Sequence, residues 1–247
     1  MINLFDMPLL LVLLPIVAFL YASVGHGGAS GYLALMSAFA FPETFMKPTA
    51  LVLNILVSGV SFYFYYREKE FKWKLFYPFA ITSIPFSFLG GYISVSGYYY
   101  KIILATVLIF AVMRLVGLLG KEKKEVRELN LYGALIAGAV IGFLSGLIGI
   151  GGGIILSPVI ILMGWGTMKQ TAAVSALFIL VNSISGITGF LSKGGALPES
   201  SLPLVGIVFV GGFFGAYYGS KKFNSVVLKN VLAVVLAIAI YKLYVTA

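Results

Sequence analysis

Two apolar stretches of this chain are too long to be single membrane spans, and both are broken by glycine. Residues 8–40 hold Gly25-His26-Gly27-Gly28-Ala29-Ser30-Gly31 near their middle, and residues 130–163 hold Gly149-Ile150-Gly151-Gly152-Gly153 near theirs. A hydrocarbon core of about 30 Å is crossed by about 20 helical residues at about 1.5 Å each. Each stretch overshoots that length, so each reads as two half-helices meeting at a glycine tip. Irregular backbone at membrane depth is tolerated only where protein or a cavity satisfies its polar groups. Two interrupted helices at matching places in two halves therefore point to a transport protein with its site near the midplane.

Full-length spans are expected at 48–66, 75–94, 98–119, 170–190, 201–219 and 226–245. With 60% hydrophobic and 10% charged residues and a mean hydropathy of +1.04, the solvent for this fold is lipid. Tyr63, Tyr65, Tyr66, Trp73, Tyr77, Tyr98, Tyr99 and Tyr100 fall at span ends, where amphipathic rings favour the headgroup layer. Leu9 to Leu20 imitates the apolar core of a signal peptide, but no Lys or Arg precedes it, so it is kept as structure.

The order is broken hairpin, then three spans, twice over. Lys101 to Leu108 aligns with Lys229 to Leu236, Arg114-Leu115 with Lys242-Leu243, and Lys47-Pro48-Thr49-Ala50 with Lys169-Gln170-Thr171-Ala172. The expected architecture is an all-α polytopic membrane protein of two repeats, 1–119 and 130–247, joined by a basic cytoplasmic linker at 120–129. If each hairpin enters and leaves on one side, three crossings per repeat invert the second repeat. That topology gathers 13 of the 17 Lys and Arg on one side, whereas counting each hairpin as one crossing gives eight spans and a split of 11 to 6. The inverted arrangement obeys the positive-inside rule better and puts loops 67–74, 114–127 and 220–229 in the cytoplasm.

All eight acids, Asp6, Glu43, Glu68, Glu70, Glu122, Glu125, Glu128 and Glu199, lie in loops or at span ends. No carboxylate is left to hold a cation or relay protons at mid-membrane. With no cysteine and one histidine, no metal site and no cofactor are expected. The formal charge of +9 sits in short loops and forms no basic face with interleaved aromatics, so no nucleic-acid partner is expected. What remains at the tips is backbone amide at the start of a half-helix, where unpaired N–H donors and the helix dipole suit an anion. Glycine matters there because a Cβ would hold ligand oxygens away from those amides. The expected partners are a small oxyanion and membrane lipid; nothing in the sequence sets an oligomeric state.

The candidate substrate-binding set is Gly25, His26, Gly27, Gly28 and Ser30 at the first tip, Gly149, Gly151, Gly152 and Gly153 at the second, and Thr49, Asn54, Thr171 and Ser175 on the spans that follow. His26 has Ile150 as its counterpart and is the one residue there able to change charge near neutral pH. Lys47 and Lys169 open the following spans, where interfacial snorkelling is the expected role. Gly138, Gly142 and Gly146, like Gly211, Gly215 and Gly219, have the spacing of close helix packing. Gly28-Ala29-Ser30-Gly31 also matches the nucleophile motif of rhomboid intramembrane serine proteases, but a serine nucleophile needs a base and no histidine follows His26. The chain is therefore not expected to be an enzyme.

Gly149 to Leu162, with Ser157-Pro158 inside it, followed by Lys169-Gln170-Thr171-Ala172-Ala173-Val174-Ser175, resembles the TauE/SafE sulfite exporter family of permeases. Gly25 to Gly31 resembles a degenerate first copy of the same motif, with His26 and Ala29 departing from a glycine-only tip. The resemblance covers the chain in length, repeat and span count. It implies movement of small sulfur anions such as sulfite, thiosulfate or organosulfonates across the bacterial cytoplasmic membrane. The expected mechanism is alternating access with substrate between the tips; a passive anion channel of the same architecture is the alternative.

Overall fold

A computed structural model describes residues 7–95, 97–115, 117–118, 126–221, 237 and 240–241. The expected span at 226–245, and with it the Lys229 and Lys242 alignments, lies almost wholly outside the described residues. Those residues form helices α1 (Pro8–Ala22), α2 (Ala29–Ala38), α3 (Glu43–Arg67), α4 (Trp73–Tyr92), α5 (Gly97–Leu115), α6 (Leu131–Ile148), α7 (Gly153–Met163), α8 (Met168–Ser192) and α9 (Leu202–Lys221). No strand occurs among them. The fold is all-α, and α3, α6, α8 and α9 are each long and apolar enough to cross a membrane.

Both overlong stretches break at their glycines. α1 closes in a Schellman motif: His26 N–H donates to Tyr21 O and Gly25 N–H to Ala22 O, with Gly25 at φ +77°. α6 stops at Gly149, φ +84°, whose N–H donates to Ser145 O. The second half-helices start from left-handed N-caps, Gly28 at φ +98° and Gly152 at φ +80°. α2 and α7 end alike, with Ala40 (φ +60°) and Gly164 (φ +74°) in the left-handed position.

Most boundaries fall within a few residues of expectation, and two of the shifts have clear local reasons. α3 begins at Glu43, not at residue 48, because Pro42 supplies an extended N-cap and Glu43 favours the first turn; Pro48 is carried inside the helix. α8 begins at Met168 on a capping box, in which Gln170 N–H donates to Thr167 Oγ1 and Thr167 N–H to Gln170 Oε1.

α3 and α8 pack on each other, and the other most extensive pairings also exchange partners between halves: α6 on α4 and α1 on α9, α3 on α9 and α8 on α4; smaller contacts such as α2 on α3 and α7 on α8 stay within a half. The glycine stripes make the first two pairs. A Cβ on Gly138, Gly142 or Gly146 would strike the α4 carbonyls of Phe79, Ser83 and Ser87, and one on Gly211, Gly215 or Gly219 those of Pro15 and Phe19 on α1 and of Ser23, its C-cap. Backbone lies on backbone there, the close approach that small residues allow in lipid. Each hairpin's first arm is thus fixed to the opposite half.

Candidate functional site

The two tips meet at Asn54. Its Oδ1 accepts from Ala29 N–H (3.0 Å), the first amide of α2, while its Nδ2 donates to Ile150 O (3.3 Å) in the second tip and to Ser183 Oγ (3.3 Å) on α8. A Cβ on Gly27 would strike Asn54 Oδ1, and one on Gly151 would strike Asn54 Nδ2, so both tips need glycine to reach this one side chain. Ile179 fills the space beside it, with Cγ2 where either added Cβ would crowd it and Cδ1 against Gly153. Asn54 is 0% exposed with all of its polar groups bonded.

The tip glycines Gly25, Gly27, Gly28, Gly149, Gly151, Gly152 and Gly153 are all buried. The N–H groups of Gly27, Gly28, Gly151, Gly152 and Gly153 make no hydrogen bond to the described residues. Gly25 and Gly149 do other work: their amides close α1 and α6, and each glycine lies against the opposite half, Gly25 on Ala172 and Gly149 on the backbone and Cγ of Lys47.

His26 joins the tips by a second route. Its Nδ1 is 3.0 Å from Val24 O, which can only accept, so Nδ1 carries a proton. Its Nε2 lies 3.0 Å from Ser157 Oγ on α7, which lies 2.8 Å from Ser175 Oγ on α8. In the neutral ring Nε2 accepts from Ser157, which in turn accepts from Ser175; in the charged ring both donations reverse. His26 and Ser175, expected at one site, are thus connected through Ser157.

The other expected residues are placed differently. Ser30 Oγ donates to Tyr21 Oη (2.8 Å) within its own hairpin. Thr49 and Thr171, at matching positions of α3 and α8, are 1% and 2% exposed, and their hydroxyls have no partner among the described residues. A buried hydroxyl left unpaired costs about 1–3 kcal/mol, so such a pair is unusual unless something else bonds it. Lys47 corrects an expectation. It does not snorkel: it is 8% exposed, its Nζ donates to Gly91 O (3.2 Å), Gly90 O (3.4 Å) and Ile93 O (3.5 Å), and it lies 5.8 Å from the Phe190 ring centre. The carbonyls ending α4 supply the partial negative charge that its ammonium needs. Lys169 is exposed.

Sequence reasoning did not assign Ser157, Ser183, Ile179, Tyr32, Tyr65, Tyr100 or Ser145 to the site. Tyr32 Oη donates to Gly27 O (2.9 Å), Tyr65 Oη to Ser23 O (2.9 Å) and Tyr100 Oη to Ile148 O (2.8 Å), so three phenols hold tip carbonyls. Ser145 Oγ is buried without a partner among the described residues, and its Cβ lies 3.4 Å from where a Gly152 Cβ would stand. Ser157 had a signal, a lone hydroxyl in the apolar run after the second tip. The tyrosines had none, since each also suits a headgroup or core position.

No carboxylate is buried among the described residues, and no group of three or more His, Cys, Asp or Glu placed to hold a metal occurs among them. The donors around the tips are amides, hydroxyls and one imidazole, groups whose chemistry suits an anion better than a cation.

The family model described as "Sulfite exporter TauE/SafE" matches residues 9–243. A probable membrane transporter protein of Sinorhizobium fredii is 37% identical over 232 residues, covering 92% of this chain and 94% of its own. A probable membrane transporter protein of Methanocaldococcus jannaschii is 29% identical over 201 residues, covering 76% and 75%. No solved structure matches the chain.

Proposed function

The chain belongs to the TauE/SafE sulfite exporter family of membrane transporters, and from that premise we propose that it carries a small sulfur oxyanion, of the sulfite, thiosulfate or organosulfonate type, by alternating access. The observation that carries this reading is the meeting of two broken-helix N-termini, both with unbonded amides, on the one side chain of Asn54. The amides of Gly27, Gly28, Gly151, Gly152 and Gly153 hold the oxyanion oxygens. His26, Ser30, Thr49, Thr171 and Ser175 tune selectivity, with the free hydroxyls of Thr49 and Thr171 available as donors, while Asn54, whose polar groups are all bonded, joins the tips. Burial of every tip glycine supports access by movement of one half against the other, with the second repeat inverted. The protein sits in the bacterial cytoplasmic membrane with loops 67–74, 114–127 and 220–229 on the cytoplasmic side.

Labelled-anion counterflow in proteoliposomes tests the reading, with sulfite, thiosulfate, sulfate and a small sulfonate, for wild type and His26→Ala at two pH values. A carrier accelerates entry of label when the unlabelled anion is trapped inside. Entry without trans-stimulation makes the protein a passive channel, and no flux of any of the four removes the substrate assignment.

A further inference from the structure

Asn54 touches the two tips with opposite ends of one amide, and the peptide unit it holds in the second tip carries the first of the three free donors there. Ile150 C=O and Gly151 N–H belong to a single planar trans peptide, so their bonds point in opposite directions. Pinning Ile150 O on Asn54 Nδ2 therefore fixes where Gly151 N–H points, and drawing charge onto that oxygen makes the N–H a stronger donor. The other end of the same side chain takes Ala29 N–H, tying α2 of its own half to the tip of the opposite half. Ser183 Oγ, also on the opposite half, keeps the amide from turning. The aligned position on α8 is Ala176, which is 0% exposed and has no polar side-chain atom, so the second half offers no such strut in return.

We propose that Asn54 is a positioning residue that never contacts the anion: it sets the aim of the Gly151 amide and latches the two tips to each other across the half-to-half interface. The proposal rests on the reading of the tips as an anion site, and it assigns Asn54 a different role from a ligand that tunes selectivity. An acceptor and a donor are both required, on one rigid planar group, at the distance set by the first turns of α3. Aspartate offers only acceptors when ionised, and a hydroxyl is too short to reach both tips.

Two variants separate the ends of the latch. In Asn54→Asp, assayed at a pH high enough to keep the buried carboxyl ionised, the carboxylate still accepts from Ala29 N–H but has no hydrogen to give Ile150 O; in Asn54→Ala both bonds are lost. Amide hydrogen exchange in detergent without anion is expected to rise at least tenfold at residues 149–155 in Asn54→Asp while residues 25–31 stay as in wild type, and to rise at both tips in Asn54→Ala. A general loss of stability would raise both tips in both variants, and that pattern overturns the latch, as does no change in either. Binding of labelled sulfite to the same preparations is expected to weaken about tenfold or more in Asn54→Ala and about two- to fivefold in Ser183→Ala, which folds with Asn54 still in place. Affinity within twofold of wild type in both variants would overturn the role in aiming Gly151. A wild type that binds no sulfite, thiosulfate, sulfate or sulfonate defeats the anion reading and the aiming role that rests on it, whereas the exchange pattern tests the latch alone.

Discussion

The first and second tips share a backbone and differ in what supports it. Left-handed glycines stand in register at Gly25 and Gly149 and at Gly28 and Gly152, and the first arm ends in a turn at both. In the first tip the polar groups are largely taken by side chains: Ala29 N–H by Asn54, Gly27 O by Tyr32, Ser23 O by Tyr65. In the second tip Asn54 and Tyr100 take the carbonyls of Ile150 and Ile148, and the run of amides from Gly151 to Gly153 is left unbonded to the described residues. Repetition of sequence has given two tips of the same shape and unequal chemistry. The first has more side-chain bracing, carries the imidazole and leaves two amides unbonded, those of Gly27 and Gly28; the second leaves three, those of Gly151, Gly152 and Gly153.

The sharpest way to break this comparison is to add one methyl to each tip. Gly151→Ala and Gly27→Ala both strike Asn54, but only Gly151 also sits at positive φ, +71°. Both are expected to lower counterflow about 100-fold through misplaced donors. In an Asn54→Ala background Gly27→Ala should cause no further loss of transport. Gly151→Ala should still lose about 1–2 kcal/mol of stability to left-handed strain. Equal behaviour of the two in that background would show the tips to be interchangeable.

A smaller loss of transport is expected at His26. His26→Ile gives the first tip the residue of the second and should cut counterflow about tenfold, the cost of the lost hydrogen bond to Ser157, which keeps only Ser175 as a partner. An imidazole is the one side chain at the tips that can take up a proton near neutral pH, and a cation there would favour an anion. The ratio of wild-type to His26→Ile uptake is therefore expected to change with pH, the substrate's own protonation affecting both proteins alike; parallel pH profiles would remove His26 from the cycle. Tyr32→Phe leaves Gly27 O buried without its donor and should weaken anion binding by about 1 kcal/mol, roughly fivefold. Tyr100→Phe does the same to Ile148 O, further along the chain from the free amides, so a smaller loss is expected there.

The smallest effect concerns the turns that end α2 and α7. Ala40 is exposed at φ +60°, where the second repeat has Gly164 at φ +74°. Ala40→Gly should stabilise the protein by about 0.5–1 kcal/mol, the relief of left-handed strain less the added chain entropy of glycine. A thermal midpoint that rises by a few degrees in detergent is the expected reading, and a fall would mean that the two turns are not equivalent.

The fold class and the two breaks are legible in the sequence because they rest on length and on glycine, both of which act locally. Segments of more than 30 apolar residues cannot be single spans, and Gly25, Gly28, Gly149 and Gly152 all occupy backbone that other residues avoid. The start of α3 is not legible, because a proline inside an apolar run looks like a first turn, while Pro42 and Glu43, which begin the helix, are outside the run. Asn54 stands out as a site residue but not as the contact between tips, since bonds to Ala29 and Ile150 join points 25 and 96 residues away and leave no periodic trace. Lys47 reads as interfacial because its neighbours along the chain are at a span end. Its partners, the α4 carbonyls, come from another helix and leave no mark in the sequence around it.

The glycine contact between α1 and α9 also sets a schedule for assembly. Pro15, Phe19 and Ser23 present their carbonyls to Gly211, Gly215 and Gly219, so the first hairpin leaves the ribosome with its backbone partner still unmade. At about 5–20 residues per second, the wait is about 10–40 s. During that interval α1 has neither lipid span length nor a protein neighbour on its glycine-seeking face. The first repeat synthesised alone would lack the glycine face that these carbonyls dock against.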